Sequence, residues 1–482
     1  MLRRTLLLVA VVSVALSMAA VGRADPLNPL DFPSLGVVTL PAGSYTIDTG
    51  ATPPTISGPV NLVGTIYGSG SSGIAVFSFD ELTIPAGLTI TVTGSRMLAI
   101  LSAGDLNVAS PISVDGGPGG GSLSAPGLGG IPVAGGGAGG AGGAKVNELS
   151  TSSFGGWGNG RGGGGGAAGQ LEGSATPGVG GVSYGNLLRR LEGGSGGGGG
   201  NSFISWCAGA GAGGGALELG ALGTMNLSAN LSARGGVGPE GTVFTAASGG
   251  GSGGGILLHA ATLVLPPSIS ATGGDGGSAI GGFCGCVGGG GGGGFGGAGQ
   301  TGHDGTAGGG GGGGGIVTLQ SASAVSTSGI DVLGGAGGGV GAGADGIVRA
   351  VQVSAVATDL EFGAVPVGSS KTLGLLLQST GDEDTCINGA FPATASSSFA
   401  RVGDGVFSSL RPGRYATVPY TFAPTAAGAF SETVTIISNA GPIQATLSGT
   451  GVYDCPGDID GDGVVDLSDL GIVLVAWGAV CP

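Results

Sequence analysis

Asp458, Asp460, Asp462, Asp466 and Asp469 fall within twelve residues close to the end of the chain. Counted from Asp458 they stand at positions 1, 3, 5, 9 and 12, with Gly463 at 6 and the carbonyl of Val464 at 7. Oxygens at those intervals converge on one hard cation, and the glycine permits the sharp turn between them. The spacing therefore predicts a Ca2+ site whose ligands are Asp458, Asp460, Asp462, Val464, Asp466 and Asp469, with Asp466 acting through water. The bland alternative is an acidic turn that binds nothing. Without the cation Asp458, Asp460, Asp462 and Asp469 repel one another, so folding of the loop should couple to the metal.

A helix must carry the last ligand. Leu470, Val473, Leu474 and Trp477 follow at i, i+3, i+4 and i+7, one face of a helix, and Gly478 is a natural stop. A unit of this size cannot hide a core of its own and needs a metal or a disulfide. Cys455 and Cys481 bracket the loop and helix. A bridge between them would contribute on the order of 3 kcal/mol. They are the predicted pair, with free or differently paired thiols as the alternative. The string Gly457-Asp-Ile-Asp-Gly-Asp-Gly-Val-Val-Asp-Leu-Ser-Asp-Leu470, with Asp in place of Glu at position 12, resembles the calcium repeat of dockerins. The resemblance covers one repeat, where a full dockerin has two. It implies an attachment module whose partner is a protein or polysaccharide of the cell envelope.

The other end of the chain reads as an export signal. Arg3 and Arg4 precede an apolar run from Leu6 to Ala20, and Gly22 and Ala24 supply small residues before a cleavage point at Asp25. An uncleaved anchor is the alternative; the run is short for a bilayer. No later segment reads as a transmembrane helix. The chain is thus expected to be secreted, extracellular or displayed on the outer surface. Its formal charge is −15, and loss of residues 1–24 leaves 11 basic against 29 acidic residues, near −18. Such a surface repels nucleic acid and anionic membrane and suits divalent cations. Cys207, Cys284, Cys286 and Cys386 have no pairing that the sequence decides. His259 and His303 stand at no zinc-ligand spacing from Cys284-Gly-Cys286.

Glycine makes up 119 of the 482 residues, nearly all of it in 25–350, without a collagen-like period. Within that region a unit of three short apolar strands recurs. Met97, Leu106 and Ile112 open the strands of the first copy. Ala216, Met225 and Leu231 open the second, Ile256, Leu263 and Ile269 the third, and Ile316, Val325 and Ile330 the fourth. The third strand always runs into Gly-Gly. An earlier pair, Val37 to Ile47 and Leu82 to Val92, shares a strand, a Pro-Ala-Gly corner and a second strand. Stacked units of this kind predict a parallel β-solenoid, because one coil cannot bury its own apolar face. The uneven spacing is taken up by glycine loops at 116–144, 155–181, 193–215, 281–315 and 334–346. Packed polyglycine helices and disorder are both open for them. The region resembles the pectin-lyase-like right-handed β-helix superfamily and, more closely, glycine-rich repeat proteins of bacterial surfaces.

Residues 351–452 have ordinary composition and about seven strand patterns, which suits an immunoglobulin-like sandwich. Phe362-Gly-Ala-Val-Pro-Val-Gly368, Tyr420-Thr-Phe-Ala-Pro424 and Leu447-Ser-Gly-Thr-Gly451 resemble the Ig-like modules of Hydin and of bacterial choice-of-anchor proteins, which implies a spacer or protein-binding unit. The expected chain is all-β: signal peptide 1–24, right-handed parallel β-solenoid 25–350, Ig-like sandwich 351–452 and calcium-binding tail 453–482. Two functions follow. One is a structural or adhesive scaffold of the cell surface, attached by its tail. The other is a polysaccharide lyase or hydrolase on the solenoid. The enzyme would draw on Arg161, Arg189, Arg190, Asp275, Asp304 and Asp345, charges in glycine-rich loops that read more simply as solvated, so no catalytic residue is assigned.

Overall fold

The structure is a computed structural model. It describes residues 25–482 apart from 70–72, 122–126, 144–151, 155–167, 171–175, 185–190, 202–205, 243–244, 279–287, 295–296, 298, 300, 302–307, 339–340, 384, 395, 454–456, 458–464 and 478–482. Strands dominate it. Among the described residues one α-helix occurs, α1 (Leu467–Ala476), and no helix is long and apolar enough to cross a membrane.

Up to Gln352 the strands fall into sheets that take one strand from each successive unit. Ile74–Phe79, Met97–Ser102, Ala216–Ala221, Gly255–Ala260, Ile316–Ser321 and Ile347–Gln352 lie side by side and parallel, with Thr65–Tyr67 added antiparallel at one edge. A second parallel sheet contains Val37–Thr39, Glu81–Ile84, Leu106–Val108, Thr224–Leu227 and Thr262–Val264. A third has Ile112–Ser113, Leu231–Ser232, Ile269–Ser270 and Ile330–Asp331. The repeat positions are in register: Leu98 pairs with Leu217, Leu217 with Ile256, and Ile256 with Val317. The two Pro-Ala-Gly units also stack, Val38 beside Leu82 and Ile47 beside Val92. Val325 departs from expectation: it packs against the core without forming a strand.

Leu98, Ile100, Leu217, Leu219, Ile256 and Leu258 point from the longest sheet into the core shared with Leu106, Met225, Leu231 and Ile269. Burial of each such side chain is worth about 1.5–3 kcal/mol. The other face of that sheet is covered too, its Val76, Ala99, Leu101 and Leu257 packing with Leu27, Leu191, Phe32 and Tyr184. Parallel strands buried on both faces read as the unbroken apolar runs seen in the sequence.

The described glycine segments are packed, not loose. Segment 207–215 enters the strand Ala216–Ala221, and 247–254 and 308–315 enter the next two. Segments 116–121, 234–241, 273–278 and 334–338 leave the strands of the third sheet. In 207–215 the hydrogen bonds repeat every third residue. The N–H groups of Gly209 and Ala212 donate to Gly120 and Gly117, those of Ala210 and Gly213 to Gly140 and Gly137, and those of Gly211 and Gly214 to Gly249 and Ser252. The carbonyls of the same segment accept from 127–130, 194–197 and Gly236, so it is bonded to six neighbours. Segment 247–254 is likewise bonded on six sides, to 195–198, 211–214, 233–239, 274–277, 289–292 and 310–313. Three residues per turn is the period of the extended polyproline-II-type helix, which aims successive amides 120° apart and leaves them free for neighbours. A side chain has no room there: a Cβ on Gly211 would lie 1.9 Å from the carbonyl oxygen of Gly236.

Residues 353–452 form two facing sheets. Ala355–Ala357, Lys371–Ser379, Tyr415–Phe422 and Phe399–Arg401 make one; Leu360–Pro366, Ile443–Val452, Gly428–Ser438, Ile387–Ala390 and Val406–Leu410 make the other. Phe362, Phe391, Phe399, Tyr420 and Phe422 fill the space between, with Phe399 and Phe422 stacked at 4.8 Å.

The first described residues fasten the two bodies together. Asp25 pairs with Arg411 at 2.7 Å, Asn388 donates to the Pro26 carbonyl, and Asn28 donates to the Phe407 carbonyl and to Ser408. In the middle of this strap the N–H of Leu27 donates to Glu218 Oε1, which also faces His259 Nε2 at 3.0 Å. Both side chains are buried on the covered face of the long sheet.

Three outcomes are expected. Gly211→Ala should lower the calorimetric midpoint, since overpacking costs about 1–3 kcal/mol, while Gly121→Ala, whose Cβ meets nothing within 4 Å, should not. Glu218→Ala leaves His259 and the Leu27 N–H buried without their acceptor and should cost about 1–3 kcal/mol for each donor in urea unfolding; Glu218→Gln, which keeps an acceptor, should cost less. Burial raises the Tyr420 hydroxyl to about 12, with Arg401 opposing the shift and Glu432 adding to it. A raised folded pKa stabilises the protonated fold below the ordinary tyrosine range and is lost as pH climbs through about 12. Alkaline titration should therefore show one late tyrosinate step coincident with unfolding of the sandwich, absent in Tyr420→Phe.

Candidate functional site

The tail places two of its predicted ligands at the start of α1. Asp466 is the N-cap, accepting from the Ser468 N–H at 2.7 Å, and Asp469 Oδ2 accepts from the Asp466 N–H at 2.8 Å. This reciprocal capping box satisfies orphan amides of the first turn. The two bonds from Ser468, side chain first, hold the Asp466 carboxyl below its ordinary range. Asp469 is 2% exposed although ionisable. Two carboxylates fixed at adjacent ends of one turn are hard oxygen donors of the kind Ca2+ takes. Asp458, Asp460, Asp462, Val464, Cys455 and Cys481 lie outside the described residues. The expected apolar face of α1 is turned outward: Leu470, Leu474 and Trp477 are exposed, as are Leu467 and Val475 off that face.

A second site was not foreseen. The residue that precedes each Gly-Gly is Asp115, Arg234, Thr272 and Leu333 in successive units. Register through Ser113, Ser232, Ser270 and Asp331 sets these four side by side. Bonds from Gly116 to Arg234, Gly235 to Thr272 and Gly273 to Leu333 carry the ladder on into the glycine segments. The result is an open groove of about 520 Å³ over a floor of glycine backbone. Asp331 and Asp275 are among its polar lining, Pro118 and Val237 among its apolar lining.

Its charges are held by the rungs. Asp115 accepts from the Arg234 N–H at 2.7 Å and from the guanidinium at 2.8 and 3.0 Å. That contact, hydrogen bond first and charge second, raises the Arg234 pKa. With Arg234 half exposed the pair itself contributes only about 0–1 kcal/mol. Asp275 Oδ1 accepts from the Ala336 N–H at 2.7 Å, one rung on, and Asp331 Oδ1 from the Leu333 N–H at 3.1 Å. Both residues line the groove.

Of the charges the sequence singled out in this region, Asp275 lines the groove and Asp345 stands at its edge, accepting from the Gly334 N–H. Arg161, Arg189, Arg190, Asp304, Cys284, Cys286 and His303 are outside the described residues. Cys207 and Cys386 are buried, Cys386 donating to Asp25. Asp115, Arg234 and Asp331 were missed, although the column before Gly-Gly, and the one two residues earlier that holds Asp331, were there to be aligned. The buried Glu218 and His259 were missed as well; each is a polar break in an otherwise apolar strand. Beside them His259 Nδ1, Thr318 Oγ1 and both ends of the Gln320 amide are buried without a hydrogen-bond partner.

No protein-family model and no curated protein matches the chain. Among solved structures, the ASH/PapD-like domain of human CEP192 is similar at 11% identity, with 21% of this chain and 87% of that one covered and a TM-score of 0.17. A protein of unknown function from Porphyromonas gingivalis W83 is similar at 12% identity, over 23% of this chain and 59% of that one, with a TM-score of 0.18. The VesB protease of Vibrio cholerae is similar at 11% identity over 21% of this chain and 31% of its own, with a TM-score of 0.16. Scores at this level identify no relative of the chain as a whole.

Proposed function

We propose that this is a secreted or cell-surface structural and adhesive scaffold. In this reading residues 25–350 are a right-handed parallel β-solenoid braced by its glycine segments, 351–452 an Ig-like spacer, and 453–482 a dockerin-like module that binds Ca2+ and attaches the rest to an envelope protein or polysaccharide. The observation that carries it is the bonding of segments 207–215 and 247–254 to neighbours on all sides. A body tied laterally in that way resists shear in every direction across its axis, which suits display outside the cell. The strap from Asp25 to Asp31 supports it too, because it fixes the spacer to the stack. At the other end, the outward apolar side chains of α1 offer a partner something to bury.

In the tail, Asp458, Asp460, Asp462, Val464, Asp466 and Asp469 would hold the cation, and the Asp466–Asp469 capping box orients the last two of them. When bound, Ca2+ supplies the charge that lets the aspartates gather in one turn.

Mature protein should be retained on envelopes of the producing cells in Ca2+ and released by chelator, as a sedimentation assay would read. The Asp462→Ala, Asp469→Ala variant should remain in the supernatant under both conditions. Equal retention of variant and wild type, or none of either, would sink the attachment role.

A further inference from the structure

We propose that the groove beside the third sheet binds a neutral glycan chain; this rests on the adhesive reading and names its ligand. Charge selects the class. Arg234 is engaged by Asp115, so Asp275 and Asp331 present negative charge that no further base among the described lining residues offsets. Uronates, sulfated glycans and phosphates are repelled by such a surface, and an uncharged polyol is not. Carboxylate oxygens are strong acceptors for sugar hydroxyls, and the bonds from Ala336 and Leu333 already restrict the two side chains, so less freedom is lost on binding.

Shape and polarity agree with this choice. Val237 and Leu333 are among the exposed apolar side chains of the molecule, and both line the groove. They can cover the C–H faces of a sugar whose hydroxyls reach Asp275, Asp331 and Thr272. The floor, Gly235, Gly236, Gly273 and Gly274, has no side chains to hold a ligand away from the backbone. Four rungs at about 4.8 Å apart give a trough for a short run of sugars rather than for a monosaccharide. No aromatic ring is among its described lining residues, so each sugar is held weakly and affinity must grow with chain length.

Affinity electrophoresis of the mature protein in gels with soluble glucan, mannan, galactan or polygalacturonate tests this, with chelator present throughout. At least one neutral polymer should retard the protein, and polygalacturonate should not. Asp275→Asn, Asp331→Asn, which keeps the acceptors for Ala336 and Leu333, should lose most of the retardation at an unchanged melting temperature. Val237→Arg, which fills the groove without touching a hydrogen bond, should do the same. Retardation by no neutral polymer, preference for polygalacturonate, or full retardation of both variants overturns the proposal. Shortening of the bound polymer overturns its binding-only form in favour of a hydrolase or lyase. Since chelator abolishes attachment through the tail, retardation in its presence separates the groove from the tail, and either can fail alone.

Discussion

Two backbones can come within hydrogen-bonding distance on every side only if nothing projects from either. A β-strand escapes this limit by bonding in one plane and sending its side chains out of it. The glycine segments escape it by having no side chains. The rise per residue of the two conformations is nearly the same, about 3.1 against 3.3 Å, so the chain passes from Ala216–Ala221 back into 207–215 without changing pitch. What changes is direction: amides that alternated between two sides in the sheet point to three in the bundle. The bare floor of the groove follows from that substitution of three-fold for two-fold bonding.

The stack was legible because its signal lies in side chains. Leu98, Leu217, Ile256 and Val317 recur at matching places, and so do the third strands that end in Gly-Gly. The aromatic core of the sandwich was not named, although Phe362, Tyr420 and Phe422 stand in the strings that marked the region. Order in the glycine segments was not legible, since its interactions are all main chain and depend on which segments lie alongside. One trace of it was present. Leu128 and Ile131, and again Val179 and Val182, are exposed apolar residues three apart among small ones, the step of a three-fold helix with one side to solvent.

The sites divide in the same way. The aspartates of the tail are local in sequence, so a calcium-loop spacing could be read from them directly, but the bond between Asp466 and Asp469 across the first turn of α1 was not foreseen. The groove gathers Asp115, Arg234, Asp275 and Asp331 from four units. Its recognition requires the register of the third sheet, which short strands of two residues mark only faintly. Glu218 and His259 needed more still, because their meaning comes from a strap that starts near Asp25.

That strap has a kinetic side. Asp25 and Arg411 are 386 residues apart, and Asn388 meets Pro26 at a separation of 362. Contacts this remote cannot form until almost the whole polypeptide has emerged, and loop closure over such distances slows the search. The emerging amino end must wait, with Leu27 and the polar groups beneath it open to water, while rung after rung is laid down. Completion of the body is thus timed by its last strands, and a chain truncated within the sandwich would leave the earliest rungs uncapped.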